Sequence, residues 1–176
     1  IFSVNNSCTR DYLDVKPLGY ATLSETGAGG AESVIFGLYS KMRTQGGITD
    51  WSRYWFESIR SDDASKGSNP SDQAAAGIVY DGFQYTKTDG LAKDNWEGHY
   101  QLIYACNNAI AKIEESGATD DATLSNIAEA KAIRAFAYFD LRRDFGEVPI
   151  VSAKVSKPED AIKAKSTVPE VDAFIK

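Results

Sequence analysis

Asp62 and Asp63 stand side by side in a stretch, residues 61–92, built from Ser, Asp, Asn, Gly and Pro with Tyr80, Phe83 and Tyr85 set among them. Paired carboxylates suggest hydrolysis of a glycosidic bond, but that chemistry needs carboxyls facing each other across the bond, about 5–10 Å apart. Adjacent residues on one chain rarely make such a pair. With Asn69 or Asp72 the same acids would offer oxygen ligands to calcium. Their spacing matches no EF-hand loop, and a helix cap or turn accounts for them more simply. The 1 histidine, His99, has no serine, cysteine or acid arranged around it as a triad and reads as a structural or surface residue. The 2 cysteines, Cys8 and Cys106, fall short of the four ligands zinc prefers, and neither CxxC nor HExxH occurs. No catalytic residue, metal ligand or cofactor is therefore expected. What remains is a connection of about thirty residues, a length at which loops tend to be functional or irregular. It carries three rings beside the polar side chains of Asp62, Asp63, Asn69, Asp72 and Gln84. Tyr80, Phe83 and Tyr85 alternate loosely with polar residues, so a short strand is an alternative.

The elements around this loop read as helices. Residues 1–30 have no lasting apolar period. From 31 to 44, Val34, Ile35, Leu38, Tyr39 and Met42 follow one helical face, and Gly46-Gly47 ends it. A second helix over 50–61 is expected, capped by Thr49 or Asp50, with Trp51, Tyr54, Trp55 and Ile59 on one face. Together they make a helical hairpin. A third helix fits 95–116, where Trp96, Tyr100, Ile103, Tyr104, Asn107, Ile110, Ala111 and Ile113 form an apolar stripe around one asparagine. Gly117 stops it. The fourth spans 119–146, with Thr119 or Asp120 as cap, acids in its first turn and Arg142 and Arg143 in its last, as the helix dipole favours. Its alanines alternate with Ile127, Ile133, Phe136, Phe139 and Leu141. A helix apolar on several faces packs on more than one side. The implied architecture is mainly α, tetratricopeptide-like helical hairpins with one long irregular loop. A further amphipathic helix begins near Val168, with Val171, Phe174 and Ile175.

Composition narrows the partners. The 176 residues suffice for one sizeable core. Net charge is −6 with a sequence pI near 4.8, and no basic stripe exists to neutralise phosphates, so nucleic acid is not an expected partner. No apolar run approaches the roughly 18 residues of a membrane-spanning helix, which leaves a lipid or a partner for any membrane attachment. Cys106 reads as a buried thiol, with a Cys8–Cys106 disulfide as the alternative in an oxidising compartment. Asn107 is expected to hydrogen-bond a neighbouring helix or loop backbone. Arg134, on a buried helix, is expected to pair with Glu129, Asp140 or Asp144.

Residues 129–151, EAKAIRAFAYFDLRRDFGEVPIV, resemble the signature of the SusD/RagB family: Arg134, Ala135, Tyr138, Phe139 and Leu141 lead into Phe145-Gly146-x-Val148-Pro149. Upstream, WEGHYQLIYACNNAIAKI is similar to that family's preceding helix, with Trp96, Tyr100, Ile103, Asn107 and Ile110 in place. SCTRDYLDVKP resembles its segment after the signal peptide, and STVPEVDAFIK its next helix entry. The blocks occur in the family's order and cover nearly the whole chain.

The resemblance implies a SusD-like helical domain over residues 21–176, truncated at its C-terminal end, behind a signal remnant and extended tether over residues 1–20. It implies a cell-surface lipoprotein of a Gram-negative outer membrane, lipidated at Cys8, which sits on a SusC-like TonB-dependent transporter. Such a protein binds oligosaccharides or polysaccharides, or less often peptides, and delivers them without cleavage. Sugar recognition needs rings to cover the CH face of a pyranose and planar polar groups to pair its hydroxyls. Tyr80, Phe83 and Tyr85 would supply the first, and Asp62, Asp63, Asn69 and Asp72 the second. A solvated connector whose rings tuck into the core is the competing reading of the loop. The competing reading of the whole chain is a helical-repeat adaptor for protein or peptide.

Overall fold

The computed structural model describes residues 28–43, 48, 53–67, 69, 71 and 79–176, and the structural statements below concern these. Four α-helices carry the fold: α1 (Ala28–Arg43), α2 (Gly90–Glu115), α3 (Asp121–Phe145) and α4 (Val168–Ile175). Shorter elements are a π-helix, Tyr54–Ile59, and a 3-10 turn, Pro158–Ala161. The only strand-like pairing among the described residues is an isolated bridge between Val148 and Ser166. The mainly helical expectation therefore holds.

Helix boundaries follow local chemistry. α3 begins where Asp120 Oδ1 accepts from the Thr123 N–H at 3.0 Å and Oδ2 from the Thr123 hydroxyl at 2.7 Å. These bonds hold the Asp120 carboxyl below its usual range, because they are made to its charged form. The helix ends at Gly146, whose φ of 76° is left-handed. The Gly146 N–H reaches Arg142 O at 3.0 Å, so the glycine closes the last turn as a C-terminal stop. α2 starts at Gly90, five residues earlier than the apolar stripe suggests. The Asp89 carboxylate caps it by accepting from Leu91 N–H at 3.0 Å, as an Asx residue at that position does. α4 opens with Thr167 N–H donating to Glu170 Oε2 at 2.7 Å, the return half of a capping box.

The second expected helix differs. Trp51 and the proposed caps Thr49 and Asp50 lie outside the described residues, and residues 54–59 form a π-turn instead of an α-helix. Trp55, Phe56 and Ile59 face inward, whereas Tyr54, expected on the buried face, is half exposed.

α2 and α3 pack along each other as the principal pair, with α1 across both and α4 on α3. Leu102, Ile103, Cys106 and Ile113 of α2 meet Ala130, Ala137, Tyr138 and Leu141 of α3, and Ile35 and Leu38 of α1 close the core. Ala130 and Ala137 are fully buried, and their small side chains leave room for the neighbouring helices. Cys106 sits in this core as a free thiol, and burial pushes it up to about 12. It is expected to stay unlabelled by iodoacetamide in the native chain at pH 8 and to react after urea unfolding, as read by peptide mass spectrometry. Native labelling of the Cys106 peptide would contradict the packing.

The irregular segment after α3 is gripped by helix side chains. Tyr100 Oη donates to Pro149 O at 2.7 Å, and Asn107 Nδ2 to Val151 O at 2.8 Å. Tyr138 Oη accepts from the Val151 N–H at 2.7 Å, and Arg134 donates to Ser152 O at 2.9 Å. The expected backbone bond of Asn107 is thus present. The partner expected for Arg134 is not a carboxylate. Its guanidinium donates to Asn107 Oδ1 at 2.6 Å and lies over the Phe174 ring at 5.1 Å. Helical periodicity explains the correction: at about 100° per residue, Glu129, Asp140 and Asp144 project from other faces of α3. Each has its own partner: Tyr39 on Glu129, Arg53 on Asp140 and Arg60 on Asp144.

Tyr138→Phe should lower stability by about 1–3 kcal/mol, because the buried Val151 N–H loses its acceptor. Urea denaturation of parent and variant measures this. An unchanged midpoint would show that water replaces the hydroxyl.

Candidate ligand-binding site

The loop that the sequence singles out rests on a second, smaller core. Trp55, Phe56 and Ile59 of the π-helix enclose Tyr80, which is fully buried. The Tyr80 ring centroid lies 5.4 Å from that of Phe56 and 6.3 Å from that of Trp55. Its hydroxyl donates to Asp89, the same carboxylate that caps α2. One acid therefore fixes both the loop and the helix that follows it. Burial, then the bond to Asp89, raises the Tyr80 pKa well above the usual phenol range, so the hydroxyl stays a donor.

Residues 79–81 belong to a helical segment, not a strand. Its end has the paired bonds of a Schellman motif. The Gln84 N–H reaches Val79 O at 2.7 Å, and the Phe83 N–H reaches Tyr80 O at 3.3 Å. The left-handed position of that motif normally belongs to glycine. Here it is Phe83, at φ 54°, the one described non-glycine residue with positive φ. Left-handed backbone costs a residue with a Cβ about 1–2 kcal/mol. The strained residue also turns its ring outward, 64% exposed. Tyr85 follows, 38% exposed, stacked on Tyr80 at 5.4 Å with 14° between ring planes.

Arg60 braces this ladder. Its guanidinium lies 4.9 Å from the Phe56 centroid, 5.9 Å from that of Tyr85 and 3.5 Å from Asp144. Asp144, largely desolvated, has its carboxyl raised, an effect that Asn95 and Arg60 oppose; Asn95 Nδ2 donates to it at 2.8 Å. Deeper, Arg53 reaches Asp140 Oδ2 at 2.7 Å and Glu57 at 3.0 Å, while Arg143 reaches Glu57 at 3.3 Å. His99 is buried here. Its Nδ1 is 2.7 Å from Asn95 O and so donates to that carbonyl, and its Nε2 is 3.7 Å from Asp140 Oδ2. The structural reading of His99 holds and the surface reading does not. Among the described residues no group of three His, Cys, Asp or Glu side chains is placed to hold a metal.

The candidate residues thus divide. Phe83 and Tyr85 present rings to solvent. The sequence groups Tyr80 with them, but a ring covered on every side offers no face to a ligand, and its part is to carry Tyr85. Asp62 and Asp63 are exposed in the turn after the π-helix, where Asp63 N–H bonds Ser61 Oγ at 3.2 Å. Asn69 is exposed, with Oδ1 accepting from Ser71 N–H at 3.0 Å and Ser71 Oγ at 2.9 Å, so that oxygen is engaged within its own loop. Asp72 and Cys8 lie outside the described residues. Sequence reasoning missed Asp89, Arg60 and Arg53. Only Asp89 left a legible signal, an Asx residue just before a helix.

Packed helical hairpins that brace an aromatic-bearing loop define a tetratricopeptide-like helical scaffold. The chain belongs to the SusD-like family: the family model described as SusD-like, starch-binding associating with outer membrane, matches residues 11–176. A SusD-like protein of Formosa agariphila is 44% identical over 77 residues, covering 43% of this chain and 15% of that protein. A SusD-like protein of Bacteroides ovatus is 27% identical over 96 residues, covering 53% of this chain and 18% of that one. The matches thus span under a fifth of the length of these relatives. Among solved structures, a SusD superfamily protein of Bacteroides vulgatus superposes with a TM-score of 0.70 at 20% identity, covering 85% of this chain and 32% of that one. A laminarin-binding SusD-like protein superposes at 0.65 with 22% identity, covering 89% of this chain and 32% of the other. At these identities the structural likeness shows the fold.

Proposed function

We propose that this chain is the helical part of a non-catalytic glycan-capture protein of the outer membrane. It would hold oligosaccharide or polysaccharide at the cell surface and deliver it to a SusC-like TonB-dependent transporter, tethered through acyl chains on Cys8. The family match over residues 11–176 carries this reading. The geometry supports it with Phe83 and Tyr85, two outward rings on a braced aromatic ladder. Asp62, Asp63, Asn69 and Asp72 of the same loop are the polar groups for sugar hydroxyls. Binding without bond cleavage asks only for a preformed surface.

Affinity electrophoresis of the intact chain through gels containing starch, laminarin or other soluble polysaccharides tests the reading. Retardation by at least one polymer is expected, with no new reducing ends. Release of reducing ends would overturn the non-catalytic reading. A folded sample that no glycan retards would move the assignment to a peptide-binding helical adaptor.

A further inference from the structure

A second surface has the chemistry of a glycan site. An open groove of about 580 Å³ runs along the outer side of α2, within the range of small-ligand pockets. Trp96, Tyr100 and Tyr104 line it at four-residue spacing. On an α-helix that spacing sets the rings on one stripe at steps of about 6 Å. Such a step is of the order of one pyranose unit. The adjacent stripe carries Glu97, Gln101 and Asn108, and Lys41 of α1 lines the opposite wall.

The allocation of hydrogen bonds separates this stripe from the scaffold. Tyr100 and Asn107 spend their polar groups on the backbone of Pro149 and Val151. The Tyr104 hydroxyl and the Gln101 and Asn108 amides have no hydrogen-bond partner among the described residues. Tyr104 is also 52% exposed. An aromatic face with unengaged planar amides beside it matches what a sugar ring presents, apolar CH on its face and hydroxyls at its edge.

We infer that this α2 groove is a second carbohydrate-binding site, separate from the Phe83–Tyr85 loop, which takes a short stretch of the same polysaccharide. The inference rests on the glycan-capture reading. Two sites on one rigid scaffold raise the affinity for a polymer above that for a short oligomer, because the second contact is intramolecular.

The test is calorimetric titration of the intact chain with starch and laminarin and with their heptasaccharides. Three variants are compared: Phe83→Gly/Tyr85→Ala in the loop, Tyr104→Ala/Gln101→Ala in the groove, and Tyr104→Phe, which keeps the ring. The groove variant should bind the preferred polymer at least about tenfold more weakly with an unchanged fold by circular dichroism, and Tyr104→Phe should bind nearly as the parent. The loop variant should retain weak heptasaccharide binding. Equal polymer affinity in the parent and the groove variant would overturn the second site while leaving glycan capture intact. Complete loss of binding in the loop variant would do the same. A parent that binds no polysaccharide, neither in this titration nor in the electrophoretic screen, would overturn both.

Discussion

Phe83→Gly is expected to bind glycan on the order of tenfold more weakly while folding at least as stably as the parent. The two effects have separate causes. Phe83 occupies the left-handed residue of a Schellman turn, at φ 54°, where a Cβ is strained and glycine is not. Relief of that strain offsets the greater chain entropy of glycine in the unfolded state, so the stability change should fall within about 1 kcal/mol on the favourable side. The ring itself is 64% exposed and contributes little burial. Loss of one stacking ring from a ligand contact removes roughly 1–2 kcal/mol, which is the tenfold. Thermal melting and affinity electrophoresis on the same sample separate the two effects. If Phe83→Gly melts well below the parent, the ring belongs to the fold. If affinity is unchanged, the strain has no part in binding.

Asp140→Ala is expected to be the most damaging single substitution, lowering stability by about 3 kcal/mol. Asp140 is 1% exposed, and its carboxylate projects from α3 towards His99 of α2 and Arg53 beside the π-helix. It takes Arg53 at 2.7 Å, with Arg143 at 3.8 Å and His99 Nε2 at 3.7 Å. Removing one member of a buried pair leaves the other charge without its counter-ion, which costs more than the pair is worth by itself. Arg53 keeps Glu57 at 3.0 Å and is 30% exposed, so the loss should sit at the low end of the range for buried pairs. Urea denaturation would measure it, with Asp140→Asn as the milder control. A cost below about 1 kcal/mol would place this network with ordinary surface ion pairs. Because Arg53 leads directly into the π-helix, Asp140→Ala should also loosen the Trp55–Tyr80 cluster and weaken glycan binding together with stability.

Much of the scaffold was legible in the sequence because its causes are local. Asp120 and its Thr123 partner, and the glycine stops at Gly117 and Gly146, act within a turn or two of chain. The apolar surround of α3 follows from periodicity alone. Asn107, a lone amide in an apolar stripe, announced a backbone bond because a buried amide must find a partner. The aromatic-and-polar composition of residues 61–92 likewise marked the loop on which Phe83 and Tyr85 stand.

The tertiary structure decided which groups those residues meet. Arg53 finds Asp140 at a separation of 87 residues, and no local pattern encodes such a pair. Tyr80, Phe83 and Tyr85 look equivalent as letters, yet one is sealed behind Trp55 and Phe56, one is held outward by a left-handed turn, and one is stacked on the sealed ring. The partners of Arg134 turned out to be an amide, a carbonyl and a ring, because the carboxylates of α3 project elsewhere and are held by other side chains. Hydrogen bonds within a turn are written by neighbours in sequence. Burial and long-range charge pairing are written by whichever surfaces the packed helices bring together.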